Sequence, residues 1–234
     1  MSFPYGNSPL LASFSLSLFL AYSQFELLPG FPNVLYGYTL ILVHGLFLRI
    51  RGQNKMEIQY TVREGKPSDL YKIAALYRTV AARSGGIARE EDEVTEAYVM
   101  NFIERSLKSG IILTIEDPEN PEVIIAEVHT YKPGIRVFSH IFSDLTIAVH
   151  PDYQGKGIGK LLFRTLLQET ELKHPEIMRV ELIARESNKR AIEFYQKLGF
   201  NIEGRLENRI CDKTGKLEAD IPMGWTRPAC MLQV

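Results

Sequence analysis

The stretch from Leu145 to Phe163, LTIAVHPDYQGKGIGKLLF, leads an alternating apolar run directly through a glycine-rich turn into a helical pattern. Leu145, Ile147 and Val149 alternate as in a strand, Gly155, Gly157 and Gly159 follow within five residues, and Leu161, Leu162, Leu166 and Leu167 then recur at helical spacing. A strand that feeds a helix this tightly commits the chain to an α/β arrangement, because the helix must pack back onto the sheet it left. The junction also presents unpaired backbone N–H groups and the positive end of the helix dipole, which favours an anionic guest. Glycine lets the backbone come close to that guest, and Lys156 and Lys160 add positive charge at the rim.

Two well-known phosphate loops fail on spacing. A Walker loop ending at Gly159-Lys160 requires Gly at 154 and Ser or Thr at 161, where the chain has Gln154 and Leu161. A dinucleotide fingerprint starting at Gly155 requires Gly at 160, where Lys160 stands. Gln154, Gly157 and Gly159 instead form a Gln/Arg-x-x-Gly-x-Gly/Ala pattern, preceded by Ile147, Val149 and Pro151 at the strand end. Downstream, Val180–Ala184 reads as a strand, and Asn188, Ala191, Phe194, Tyr195, Gly199 and Phe200 fit Asn-x-x-Ala-x-x-Phe-Tyr-x-x-x-Gly-Phe on a short helix closed by Gly199. The two motifs, in this order and one helix apart, resemble those of the GCN5-related N-acetyltransferases (GNAT family). The resemblance covers about Ile58 to Trp225.

The remaining pattern is consistent with that likeness. Ser68 or Asp69 can cap a helix carrying Leu70, Ile73, Leu76, Tyr77 and Val80, and Thr95 can cap a second one carrying Val99, Phe102, Ile103 and Leu107. Met56–Arg63, Ile111–Glu116, Val123–Tyr131 and Ser139–Val149 read as strands, with a turn at Asp117–Pro121. A helix over Ile158–Glu171 crosses over to a parallel strand at Val180–Ile183, and Asn201–Ile210 with Ala219–Trp225 form a terminal hairpin around Asp212–Lys216. The expected fold class is α/β (α+β), a mixed and mostly antiparallel central sheet with helices on both faces. The resemblance implies the acyl-CoA N-acyltransferase-like architecture.

Composition narrows the function classes. With 45% hydrophobic and 24% charged residues and a net charge of −1, the 234-residue chain has no basic excess to suggest nucleic acid as a partner. Cys211 and Cys230 are the only cysteines, and the five histidines have no ligand-like spacing, so neither a disulfide framework nor a metal site is expected. The setting expected is cytoplasmic. Residues 1–55 differ in character, since Glu26 is the only charge before Arg49. They read as an apolar extension ahead of an acetyltransferase domain at 56–228 and a tail at 229–234. The preferred reading is a translated leader upstream of Met56. The alternative is a weak membrane segment at residues 34–50, which at about seventeen residues is at the lower edge of a bilayer crossing.

The resemblance implies acetyl-CoA as co-substrate and direct acetyl transfer to a primary amine of a small molecule or peptide, with a homodimer compatible and no metal. Carried over, the backbone at Ile147 and Val149 faces the pantetheine and thioester, with the amide near Ile147 polarising the carbonyl. The loop Gln154, Gly155, Lys156, Gly157, Ile158, Gly159 and Lys160 holds the pyrophosphate, and Asn188 contacts the pantetheine arm. Tyr195 is the expected general acid, against a reading as a packed helix aromatic. For the base, Asp144 and His140 are candidates, while the family's carboxylate position falls near Ser143. The charged run Arg83–Glu93 and the terminal hairpin are expected to flank the acceptor groove. A module that binds acyl-CoA without turnover, as a sensor or partner domain, is the second class left open.

Overall fold

Two apolar, β-branched runs, Ile111–Ile115 and Val123–Val128, are separated by a Pro- and acid-rich stretch that turns the chain between Asp117 and Asn120, and they fold as the hairpin from which the sheet grows. The computed structural model describes residues 59–83, 87–212 and 214–228, all within one compact unit, Ile58–Val234. The expected extension at 1–55, its apolar segment at 34–50 and the tail at 229–234 lie outside the described residues.

In chain order the elements are β1 (Val62–Glu64), α1 (Leu70–Ala81), α2 (Glu96–Ser109), β2 (Gly110–Asp117), β3 (Asn120–Tyr131) and β4 (Ile141–Val149). They continue with α3 (Ile158–Lys173), β5 (Arg179–Arg185), α4 (Lys189–Lys197), β6 (Asn201–Ile202), β7 (Leu206–Cys211) and β8 (Leu217–Thr226). The eight strands form one sheet in the order β1-β2-β3-β4-β5-β8-β6, with β7 also paired to β8. Every pairing is antiparallel except β4 with β5. The expected fold class is therefore the one observed.

Helices cover both faces, each held by an apolar stripe. On one face Ile73, Leu76, Tyr77 and Val80 of α1 and Val99, Phe102 and Ile103 of α2 pack on Ile112, Ile124 and Ala148. On the other, Ile158, Leu162, Phe163 and Leu166 of α3 pack on Leu113, Val128, Leu145, Val180 and Met223. Among the described residues no helix is long and apolar enough to cross a membrane.

Three local expectations are corrected. Of the strand expected over Met56–Arg63, the described part pairs only from Val62 to Glu64. Asp69 does stand at the α1 N-cap position, but its carboxylate is taken by Arg63, at 2.7 and 3.0 Å, and by the Lys66 N–H at 3.0 Å, so it caps no helical amide. The expected strand Asn201–Ile210 breaks at Glu203–Arg205, where Glu203 pairs with Arg179 and Arg205 with Glu186. Thr95 caps α2 as expected, its hydroxyl accepting from the Tyr98 N–H at 3.1 Å.

Candidate active site

The parallel pair β4–β5 is where the sheet opens. The two strands are in register only at Ile141↔Arg179 and Phe142↔Val180, and beyond Phe142 they part. A bulge in β4 produces the divergence. His129 lies opposite Thr146 and Tyr131 opposite Ser143, so two steps along β3 face three along β4. Within that interval Asp144 adopts φ 53°, a left-handed conformation that its short carboxylate side chain tolerates better than most. Thr130 steadies the bulge by donating its hydroxyl to the Ser143 carbonyl at 2.8 Å.

Past the bulge, one edge of β4 is free. The His150 N–H donates to the Ile125 carbonyl on β3 at 2.8 Å, and backbone direction alternates along a strand. Thr146 and Ala148 therefore turn their amides toward β3, and Ile147 and Val149 turn theirs into the gap left by β5. The Gln154 side-chain amide donates to the Val149 carbonyl at 3.2 Å, which closes the end of that edge.

The free edge runs into the glycine turn. His150 caps a short 3-10 turn at Pro151–Tyr153, Gly155 and Gly157 adopt φ 79° and 81°, and α3 begins. The first backbone bond of α3 is given by Leu161 to Gly157 at 3.0 Å, so the amides of Ile158, Gly159 and Lys160 precede any helical partner. A Cβ at Gly155 or Gly157 would meet nothing within 4 Å, so the space over the turn is open. Lys156 lies 4.5 Å from the Tyr153 ring. The Tyr153 hydroxyl donates to Asp117 at 2.8 Å, and that bond, with some burial, pushes the phenol up to about 12. Beside the turn, a hollow of about 370 Å³ is bordered by Gly157, Lys160 and Arg164. Arg164 was not singled out from sequence, although it stands one turn after Lys160 on the same helix. Open amides, two flanking cations and a free strand edge fit a long, phosphate-bearing substrate such as acetyl-CoA.

The motif-derived residues of α4 have visible roles in the fold. Asn188 caps α4, its Oδ1 accepting from the Ala191 N–H at 3.1 Å, and among the described residues its side-chain N–H groups make no hydrogen bond to protein. Tyr195 packs among Phe163, Phe194 and Phe200, with ring centroids 5.4, 5.5 and 6.1 Å away. Burial pushes its phenol up to about 12, so it is protonated across the neutral range. Among the described residues its hydroxyl makes no hydrogen bond to protein.

In the gap between β4 and β5 lies a cleft of about 470 Å³, bordered by α2, β3, the bulge and β5. Asp144 lines it; His140, the other base candidate, does not. The cleft also contains a group that pattern reading missed. His129 is 2% exposed, and its Nδ1 lies 3.0 Å from Oε1 of Glu127, whose side chain is fully buried. The Tyr77 hydroxyl donates to Oε2 of the same carboxylate at 2.6 Å and lies 3.3 Å from the His129 Nδ1. Burial, and then the charge of Glu127, holds the Tyr77 phenol well above its ordinary value. The imidazole stacks on Phe102, with centroids 4.0 Å apart and planes 7° apart. Arg105 lies 3.9 Å over the Tyr131 ring, and Arg89 lies 3.9 Å over that of Tyr98.

Comparison with known proteins adds to this geometry. Residues 111–202 match the sequence model of the acetyltransferase (GNAT) domain. Over 55 residues the chain is 42% identical to the ribosomal protein bS18 alanine N-acetyltransferase of Salmonella typhimurium, covering 24% of this chain and 36% of that protein. Over 69 residues it is 35% identical to the uncharacterized protein YdhI of Bacillus subtilis, covering 30% and 41%. The chain thus spans well under half the length of these curated relatives. In fold it is similar to a GNAT-family acetyltransferase from Streptococcus pneumoniae, with a TM-score of 0.65 at 23% identity over 72% of this chain and 100% of that one. It is also similar to a phosphinothricin acetyltransferase of Sinorhizobium meliloti solved with AcCoA, with a TM-score of 0.63 at 20% identity over 72% and 89%.

Proposed function

We propose that this chain, whose residues 111–202 match the GNAT acetyltransferase domain, transfers the acetyl group of acetyl-CoA directly to a primary amine of a small molecule or peptide. The observation that carries the reading is the free edge of β4 at Ile147, which leads through the glycine turn to the open amides of Ile158, Gly159 and Lys160. In this reading the glycine turn and Lys156, Lys160 and Arg164 hold the phosphates, and the Ile147 amide faces the thioester oxygen as negative charge develops there. Such a donor is worth about 3 kcal/mol in the barrier. Asn188 offers its amide N–H groups to the pantetheine arm.

The acceptor enters the cleft beside the bulge. Attack by its nitrogen forms the C–N bond as the C–S bond breaks, and the departing thiolate needs a proton. Tyr195 supplies it, and then recovers one from the acetylated nitrogen. Asp144 is an exposed carboxylate of the cleft and attracts the incoming ammonium. The curated relative that acetylates an alanine of a ribosomal protein supports an amine on a peptide as one acceptor class.

A thermal-shift titration with acetyl-CoA, using ATP and NAD as controls, tests the loop. Stabilisation by acetyl-CoA alone is expected, followed by amine-dependent release of free thiol in a panel of amino acids, peptides and polyamines. Saturable binding without turnover on any amine would favour the sensor reading instead, and absence of binding would reject both.

A further inference from the structure

We propose that His129, held by Glu127 and Tyr77, is the group that takes the proton from the acceptor ammonium. The inference rests on the acetyltransferase reading. A buried carboxylate only accepts hydrogen bonds, and the Tyr77 hydroxyl already donates to Oε2 of Glu127 at 2.6 Å. The contact of His129 Nδ1 with Oε1 at 3.0 Å therefore places the imidazole N–H on Nδ1. Nε2, on the opposite edge of the ring, is left with its lone pair. Among the described residues Nε2 has no hydrogen bond to protein, and His129 borders the cleft directly opposite Thr146 on β4. This is the logic by which a buried carboxylate orients an imidazole to act as a base.

Energetics favours a role in proton transfer over a purely structural one. Burying a lone carboxylate costs several kcal/mol in general, and among the described residues the hydrogen-bond partners of Glu127 are a phenol and an imidazole. A proton arriving on Nε2 converts that single buried charge into an ion pair. Stacking on Phe102 fixes the ring plane, so the gain does not depend on side-chain movement.

Other charges act on this transfer. From α2 and the segment before it, Arg105 and Arg89 oppose a positive charge on His129, each partly spent on the aromatic ring beneath it. From β4, Asp144 favours it. From β5, Glu181 favours it too, its charge offset in part by Arg179 at 2.6 Å, which Glu203 shares. The phenols of Tyr77, Tyr98 and Tyr131 are all raised by burial and stay neutral.

The proton balance closes. The acceptor R–NH3⁺ gives one proton to Nε2, and its nitrogen attacks the thioester carbon. The second proton lost from nitrogen replaces the one that Tyr195 gives to the thiolate, and His129 releases its own to water through the cleft.

The test measures kcat/KM against pH for the full chain with an amine found in the acceptor panel. His129→Gln is expected to lower kcat/KM at least about 100-fold near neutrality. The deficit should shrink as pH rises past the acceptor's own ionisation, because the amine then arrives already deprotonated. Stabilisation by acetyl-CoA is expected to be unchanged. Should His129→Gln fail to fold, Glu127→Gln keeps the shape and is expected to move the acid limb of the profile to lower pH. Asp144→Asn should raise KM for the amine and leave the shape of the profile intact. A His129→Gln enzyme with the wild-type profile, or an acid limb lost in Asp144→Asn alone, would overturn the assignment while leaving the acetyltransferase reading intact. Failure of the wild-type chain to bind acetyl-CoA would remove both.

Discussion

Two glycines of one turn do opposite work. Gly157 sits at φ 81°, and a Cβ there would touch nothing within 4 Å, so Gly157→Ala meets only the intrinsic cost of the left-handed region, roughly 1–2 kcal/mol. Gly159 has ordinary helical geometry, and its added Cβ would meet Val149 Cγ2 at 3.5 Å, a normal contact. Alanine in a helix gains up to about 1 kcal/mol over glycine. Gly159→Ala should therefore leave the melting temperature unchanged or slightly higher and, because alanine also fits the Gly/Ala position of the loop pattern and its Cβ faces Val149, leave acetyl-CoA affinity nearly unchanged. Gly157→Ala should instead weaken acetyl-CoA at least tenfold in a calorimetric titration, and an affinity unchanged in both variants would show the turn to be merely structural. Tyr195 allows a similar separation. Its hydroxyl has no protein partner among the described residues, so Tyr195→Phe should cost little stability. In the proposed role of Tyr195 as acid to the thiolate, the variant should lose kcat by about 100-fold with acetyl-CoA affinity retained. A packed aromatic with no role in proton transfer would show an unchanged rate.

At the scale of elements, α1 is anchored by an ion pair that its sequence does not announce. Burial raises the Asp69 carboxyl, but the hydrogen bonds from Arg63 and the Lys66 amide, with the guanidinium's charge, outweigh it and hold the group below the usual carboxylate range. A depressed folded value means that the stabilisation is complete above the unfolded carboxylate range, near pH 4 in general. It is lost as pH falls through the folded value. Asp69 is 1% exposed, and Asp69→Asn should cost on the order of 2–3 kcal/mol at pH 7 in urea unfolding. The difference from wild type should narrow only in acid. Sequence shows an Asp before a helix and suggests a cap; nothing local reveals that Arg63, six residues earlier, claims it. Elements were legible where one residue type decides local geometry. Thr95 at the start of α2, the glycines of the turn and Gly199 after α4 all stand where their conformations are required. The Glu127–His129 pair was hidden because strand β3 reads as an apolar run, and its partner Tyr77 lies fifty residues away. The available signal was two ionisable residues at i and i+2, on the face of the strand that the core requires to be apolar. The bulge at Asp144 gave no signal at all, since nothing in IFSDLTIAV demands an extra residue at that point.

For the whole molecule, the site exists because a single sheet is allowed to separate along one seam. Strands β1–β4 and β5–β8 meet through two residue pairs, and what holds them together is the core under α3, where Phe142, Phe163, Leu166, Val180 and Met223 pack without exposure above a few per cent. Phe142 occupies the last paired rung before the strands part, fully buried, with its ring edge-on to His174 at 5.1 Å. Removing it takes out the wedge that joins the halves as well as a large apolar side chain. Phe142→Ala should cost about 3–5 kcal/mol, and the melting temperature should fall by roughly 10 °C or more for a domain of this size. A ligand that spans the seam binds only the folded state, so acetyl-CoA at 100 times its Kd should restore about 2.7 kcal/mol by mass action alone. Leu76→Ala, in the core under α1 on the opposite face of the sheet, provides the comparison. Both variants should recover by the same amount if the seam keeps its geometry when Phe142 is lost. If the rung sets the width of the gap, Phe142→Ala should recover less than Leu76→Ala at equal acetyl-CoA, because weaker binding reduces the stabilisation the ligand can return. That shortfall, measured in denaturant midpoints with and without acetyl-CoA, reports directly on how far the short pairing between the two halves of the sheet is also the feature that shapes its site.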